Sequence, residues 1–366
     1  MAPAWAQLRF EERVLATDLK GGYQLQAVDM NGDGRPDLLA LASGIAELVW
    51  FENPTWQRHV VATGLSRMIN AAALDVTGDK IPELLVAHRF ENIAKNSVGI
   101  VSLLESQGDP RQPWKVREID RLTTSHRLRV AMLKDGMVFI NAPLTGARAE
   151  PPEYRDRVPV VMYRAPQFRR EPVNAELQGV LHGLFVVDWD KDGVDEVLTA
   201  SFEGVHLLRP GNAAPAEKIL KGSEAAWPKG GSSEIVVGSL GKERFLATID
   251  PWHGNEVAVY RMKGKSWQRM VIDSSEADGH TLHVADLDGD GNQEIIAGFR
   301  GPGRSVFYYR HAKGGWERQM IDRAGIAAAG CAIADFNADR RIDVACIGSA
   351  TANVKLYLNL GRPGLR

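Results

Sequence analysis

Five stretches of the chain repeat one acidic pattern. They are Asp29, Asn31 and Asp33 with Asp37; Asp75, Thr77 and Asp79 with Glu83; and Asp188, Asp190 and Asp192 with Glu196. The last two are Asp286, Asp288 and Asp290 with Glu294, and Asp335, Asn337 and Asp339 with Asp343. Each stretch places oxygen-bearing side chains at loop positions 1, 3 and 5, then an acid at position 9. Oxygen ligands on alternate residues of a tight turn suit a hard cation, so the loops predict structural calcium or magnesium. The closing acid stands at position 9 rather than the 12 of an EF-hand, so no helix pair need move. Thr77 replaces an acid and Lys80 follows, which makes the second loop the weakest site.

The histidines carry a second chemistry. His126, His182 and His280 each lie six residues before the first position of their own loop or its degenerate copy. His88 and His253 fall at or just past the ends of the strands that follow such loops. If the repeats form a ring, these five of nine histidines share one rim, on the face opposite the acidic loops. Neutral imidazoles aimed at one point bind a transition metal or share proton transfer. We assign His126, His182 and His280 as tentative ligands for zinc or another divalent metal, and His253 and His88 as base and acid. Arg89, Arg127 and Arg300 would hold substrate oxygens or stabilise an enolate. Trp252 and Asn255, in the turn from Asp250 to Asn255, offer an aromatic platform for a sugar face. Tyr154 lies in a long connection, residues 141–157, on the same rim and is a further candidate acid.

The elements that must position these groups follow from the spacing. Successive first positions, including degenerate copies at Met132 and Gly238, are 46 to 57 residues apart and define seven units. An aromatic precedes the first position by 18 to 20 residues in six of them: Phe10, Trp56, Trp114, Phe168, Trp267 and Trp316. Short apolar runs punctuated by Gly, Pro and Asn read as strands, and no stretch sustains a helical period. Periods of this length with about four strands each predict an all-β, seven-bladed β-propeller filling residues 1–366 as one domain. The degenerate units, blades 3 and 5, should hold no ion in their turns. The last unit ends after its third strand, so the N-terminal segment around Phe10 should supply its outer strand and close the ring.

Composition narrows the partners. The net charge is -2 and apolar residues make up 44%, which allows a large core and gives no basic excess for nucleic acid. No apolar run is long enough to span a membrane. The sequence is silent on oligomeric state. Pairing the last blade's first two strands across the 335–343 turn places Cys331 and Cys346 out of register, so two buried thiols are expected rather than a disulfide. Residues 1–7 read as the end of an export signal or as a frayed terminus. With the calcium loops this favours a periplasmic or secreted protein, the alternative being cytoplasmic.

The loops resemble FG-GAP or VCBS repeats, which adhesins, integrin-type propellers and lyases share. More specific are the segments around His126–Arg127, Asn141–Gly146, His182–Asp190, Thr199–Glu203, Trp252–Asn255 and Asp278–His280. Together they resemble the propeller domain of the aldos-2-ulose dehydratase/isomerase (1,5-anhydro-D-fructose dehydratase) family. That family carries cupin domains after its propeller. This chain stops at the propeller, so the resemblance implies dehydration without isomerisation. It implies a carbon–oxygen lyase acting on a small carbohydrate: 1,5-anhydro-D-fructose, an aldos-2-ulose or a 3-keto-glycoside. Two other readings compete, a calcium-stiffened propeller that binds glycan or protein without catalysis, and a polysaccharide lyase.

Overall fold

The computed structural model describes residues 7–212 and 214–363; residues 1–6 of the expected export remnant lie outside them. Strand β1 (Phe10–Ala16) comes first. Blade 1 is β2 (Gly22–Val28), β3 (Asp37–Ala42), β4 (Leu48–Glu52) and β5 (Gln57–Ala62). Blade 2 is β6 (Asn70–Leu74), β7 (Glu83–His88), β8 (Ile100–Glu105) and β9 (Lys115–Arg121). Blade 3 is β10 (Ser125–Leu133), β11 (Gly136–Pro143), β12 (Val160–Arg164) and β13 (Arg169–Asn174). Blade 4 is β14 (Leu181–Val187), β15 (Glu196–Ser201), β16 (Gly204–Leu208) and β17 (Glu217–Leu220). Blade 5 is β18 (Glu234–Leu240), β19 (Glu243–Asp250), β20 (Glu256–Lys263) and β21 (Ser266–Asp273). Blade 6 is β22 (Gly279–Ala285), β23 (Glu294–Phe299), β24 (Ser305–Ala312) and β25 (Gly315–Arg323). Blade 7 is β26 (Ala328–Ala334), β27 (Asp343–Gly348) and β28 (Val354–Asn359), with β1 paired antiparallel to β28 as its outer strand.

Seven four-stranded antiparallel sheets result, with no α-helix among the described residues. The first strands close a ring: β2, β6, β10, β14, β18, β22 and β26 each touch the next, and β26 returns to β2. Core packing lies between blades. Leu25, Leu38 and Val49 of blade 1 meet Ala345 and Leu356 of blade 7. Met30 and Trp50 meet Val86 and Leu104 of blade 2. Second strands such as β3, β7 and β15 are buried along their whole length, which is why they read as unbroken apolar runs instead of alternating ones. The unit-leading aromatics open the outer strands and pack inward, as Trp56 does on Phe336 and Trp316 on Phe245.

One local feature decides where the first-strand side chains point. In blades 1, 3, 4, 6 and 7 the register between first and second strands slips at the start of the first strand, at Gly22/Gln24, Ser125/Arg127, Leu181/Gly183, Gly279/Thr281 and Ala328/Gly330. The residue skipped in each is Tyr23, His126, His182, His280 or Ala329. Such a bulge leaves one residue unpaired and re-aims its side chain. Blades 2 and 5 pair without a slip.

The acidic loops join first to second strands on the other face. In all five, the closing acid accepts the backbone N–H of loop position 2: Met30 to Asp37, Val76 to Glu83, Trp189 to Glu196, Leu287 to Glu294 and Phe336 to Asp343. The first aspartate collects later N–H groups of the same turn, as Asp29 does from Gly32 and Gly34. These carboxylates therefore brace the turn, a role that the spacing alone did not reveal. Blades 3 and 5 have no such loop; Leu133 pairs with Gly136 and Leu240 with Glu243 across two-residue turns.

The cysteine expectation is corrected. Cys331 pairs directly with Cys346 in the β26–β27 ladder, because Ala334 pairs with Asp343 and the count from the turn puts both cysteines in one pair. Their Cα atoms are 4.0 Å apart and their sulfurs are bonded. A bond closing a loop of this separation (15 residues) contributes about 3 kcal/mol on the chain-entropy account. Thiol titration of the denatured chain should therefore detect no free thiol without reductant and two after reduction; two thiols in the untreated protein would contradict this pairing.

Candidate active site

The bulges bring their residues together at one end of the channel. His182 has its ring centre 5.0 Å from that of His126 and 4.9 Å from those of both His253 and His280. His253 and His280 are 5.1 Å apart. Tyr23 completes the cluster: its hydroxyl donates to His126 Nε2 at 2.7 Å, and its ring meets that of His280 edge-on at 5.0 Å. His126, His182 and His280 are buried, whereas the side chain of His253 is 32% exposed and marks the mouth.

Arg127 forms the floor. Its Nη1 donates to Tyr23 Oη at 3.2 Å and to His126 Nε2 at 3.3 Å, and its Nη2 lies 2.9 Å from Glu234 Oε1 and 3.3 Å from His182 Nε2. Burial works against the guanidinium charge, but Tyr23 and Glu234 outweigh it and raise its pKa. Burial in turn pushes the Glu234 carboxyl up against the pull of Arg127. The imidazoles respond to the same surroundings. Burial first, then the charge of Arg127, holds His126 and His182 well below the usual histidine range. Burial and then Arg300 do so for His280, and lower His253 to about 4. All four are neutral at pH 7, as ligands or bases must be.

The mouth is aromatic. Trp252 lies 4.8 Å from His253, Tyr154 6.0 Å from Trp252, and Phe202 5.7 Å from Trp252, while Phe90 lies 5.4 Å from His126. Burial raises the Tyr154 pKa, and its ring is a wall element against Phe202 and Trp252. Arg300 reaches in from the end of β23, donating through Nη2 to Asp278 Oδ1 at 2.8 Å and to His253 Nδ1 at 3.3 Å. Two donors here find no protein acceptor, Arg300 Nε and Trp252 Nε1.

Three of the expected site residues stand away from the cluster. His88 does not join the cluster: as the last residue of β7 it turns to β8, where its Nε2 meets Ser102 Oγ at 3.0 Å. Alternation along the strand sends it between sheets rather than into the channel. Arg89 is exposed beyond it. Asn255 is exposed too, and its amide donates to the Ser274 carbonyl as a loop brace. Conversely, Tyr23 and Glu234 were missed. Tyr23 stands six residues before Asp29, the same repeat position as the three histidines, so the spacing did carry that signal. Glu234 sits in blade 5, whose degenerate loop gave no frame to count from.

The donor set for a metal also shifts. His182, His253 and His280 each offer a ring nitrogen within 4.8 Å of the others. His126 is replaced by His253, because Tyr23 and Arg127 occupy its Nε2. His182 Nδ1 donates to the Ser233 carbonyl at 3.2 Å and lies 2.9 Å from Glu234, while His280 Nδ1 donates to the Ala329 carbonyl at 2.5 Å. Those bonds leave Nε2 as the unprotonated nitrogen of each ring; the buried His280 Nε2 has no partner, while His182 Nε2 lies 3.3 Å from Arg127 Nη2 and 3.2 Å from His253 Nε2. The third ring, His253, faces Arg300 Nη2 through Nδ1 at 3.3 Å, with the Asp278 carboxylate beyond at 3.8 Å. Imidazoles oriented from behind by carbonyls and carboxylates fit a divalent metal.

The family described as Aldos-2-ulose dehydratase, beta-propeller domain, matches residues 98–263, and FG-GAP-like repeats match residues 29–86 and 286–346. Aldos-2-ulose dehydratase of Phanerodontia chrysosporium is 24% identical over 316 residues, 72% of this chain. This propeller resembles the dehydratase's. The chain spans only 34% of the length of that relative. Among solved structures, virginiamycin B lyase from Staphylococcus aureus superposes with a TM-score of 0.61 at 9% identity, covering 96% of this chain and 99% of its own. A chain of the mitotic checkpoint complex gives 0.62 at 9% identity, covering 96% and 94%. At such identities the likeness shows the propeller fold alone.

Titration with cobalt(II) should give visible ligand-field bands saturating at about one equivalent, as expected for a single nitrogen site. His280→Ala should lose them and His88→Ala should keep them; equal loss in both variants would refute the three-histidine set.

Proposed function

We propose that this propeller is a carbon–oxygen lyase that removes water from a keto-sugar. The observation that carries the reading is the convergence of neutral imidazoles and two arginines beneath an aromatic wall. The similarity to a dehydratase propeller supports it at the level of sugar dehydration. Dehydration next to a ketone requires three events. A proton leaves the carbon α to the carbonyl, negative charge gathers on the carbonyl oxygen, and the β-hydroxyl departs with a proton as water.

The residues divide this work. A divalent metal such as zinc, held by His182, His253 and His280, would supply Lewis acidity to the carbonyl oxygen. His253 is then a ligand, so proton transfer falls to the hydrogen-bonded pair His126 and Tyr23, with Arg127 beside both to stabilise charge. Arg300 Nε and Trp252 Nε1 are the unpaired donors left for sugar hydroxyls. Trp252, Tyr154 and Phe202 form an apolar face against which a sugar ring can lie. Incubation with 1,5-anhydro-D-fructose or a 3-keto-glucoside should raise the ultraviolet absorbance of a conjugated enone. Tyr23→Phe should slow it by roughly 100-fold, as loss of a general acid–base group does. No absorbance change with any keto-sugar, with or without zinc, would defeat the enzyme reading.

We further infer that the acidic loops hold calcium or magnesium, and that the protein works in an oxidising compartment, which suits its disulfide. Asp286, Asp288 and Glu294 offer oxygens within 4.8 Å of one another, although Arg310 and Arg362 also contact Asp288. Burial, helped by neighbouring carboxylates, raises Glu294 to about 8 and Asp37 and Asp343 to about 6. Groups raised on folding stabilise the protein at low pH, and that contribution is lost as pH rises from the unfolded carboxylate value, about 4, to about 6 for the aspartates and about 8 for Glu294. A bound cation needs the ionised carboxylates and offsets the loss. The rise in melting temperature on adding calcium to chelated protein should therefore be larger at about pH 8 than at about pH 5; no rise at either pH would show that the loops hold no ion.

A further inference from the structure

Beneath the histidines the channel continues into a second chamber of about 290 Å³. Tyr23, Arg127, Glu234 and His280 form the partition, since each touches the histidine cluster and also lines this lower cavity. The chamber's own charge is Arg129, two residues along β10 from Arg127 and on the same face of the strand. Its Nη1 donates to the Leu128 carbonyl at 2.8 Å and to Asn70 Oδ1 at 3.3 Å. Among the described residues, no acceptor meets its Nε or Nη2 and no carboxylate lies at ion-pair distance.

The other groups on the wall answer that charge only in part: Glu234 attracts it without forming an ion pair with it. Glu234 is the single carboxylate lining the chamber, and it is spent on Arg127 and His182 at 2.9 Å each. Burial holds His283 at about 4, so it is neutral, and Thr281 faces it at 3.2 Å. Two guanidiniums against one carboxylate leave an excess of one positive charge deep in the ring. Burial, with Arg127 adding repulsion, lowers Arg129 to about 10, which still leaves it charged at neutral pH. Arg129 is partly exposed into the chamber, and its Nε–Nη2 edge is a fork suited to a hydrogen-bonded counter-charge. The volume would hold on the order of ten waters, room enough for a small ion with its hydration. Glu234 nearby disfavours a second negative charge.

We propose that the second chamber binds one small monovalent anion, of chloride to formate size, on the free Nε–Nη2 edge of Arg129. The site is separate from the lyase centre and does not depend on the reaction assigned there. Crystals of the full chain soaked in sodium bromide should show an anomalous peak at hydrogen-bond distance from the Arg129 guanidinium. In solution, sodium bromide or formate should raise the melting temperature saturably, relative to sodium gluconate at equal ionic strength. Arg129→Met should abolish that difference. Bromide found at surface sites alone, or equal melting in bromide and gluconate, would overturn the proposal. Should Arg129→Met not fold, the bromide position in the unaltered protein decides.

Discussion

A guanidinium fixed at the axis of a closed ring is the constraint around which the site is organised. Arg127 cannot give up its proton, so everything within reach must either answer its charge or stay uncharged. Glu234 answers it at 2.9 Å, from two blades round the ring. The imidazoles stay neutral, pressed below their ordinary range by burial and then by arginine charge. Removing one partner of such a buried pair leaves an uncompensated ion and costs several kcal/mol, about 3–5 in comparable cases. The ion pair therefore reaches beyond stability. Its arginine adds to the burial that holds His126 and His182 neutral.

The ring makes this arrangement possible because it converts sequence period into spatial convergence. Residues at one repeat position lie on different blades but face one axis. A bulge at that position turns the side chain inward, and blades 1, 3, 4 and 6 contribute Tyr23, His126, His182 and His280 by this device. Blade 7 has the same bulge but carries Ala329, whose carbonyl accepts from His280 Nδ1. The small side chain leaves room for that contact, so even the silent repeat contributes to the site. Blade 5, which lacks the bulge, instead supplies Glu234 and the turn bearing Trp252 and His253.

Legibility in the sequence follows from the same geometry. The period, the seven units and the shared rim of His126, His182 and His280 could be read because they depend on counting along intact repeats. Tyr23 is equally countable, six residues before Asp29. Glu234 is not countable, because the Gly238 copy lacks both the acidic loop and the bulge. His88 differs for another reason. A strand end fixes the height of a residue in the ring, but His88 ends a second strand, one place out from the channel, and turns to Ser102 of β8. The cysteine expectation turns on parity, since a one-residue slip across a turn moves a pair to opposite faces.

In blades 4 and 6 the two ends of the first strand carry donor groups of opposite character, and the fold keeps them apart. Near the start of the strand lie nitrogen donors, buried, neutral and oriented by carbonyls, a set suited to borderline metals such as zinc. At its end lie carboxylates that already accept backbone N–H bonds and crowd one another, a set suited to hard cations. A single pocket mixing both would let either metal compete for either function. Separation by the length of a strand removes that competition, and the partition of Tyr23, Arg127 and Glu234 reinforces it. A cation moving up the channel from the loop face meets the charges of Arg129 and Arg127 in the lower chamber. That positive charge makes the aromatic mouth, where His253 is partly open to solvent, the easier entrance for a metal ion.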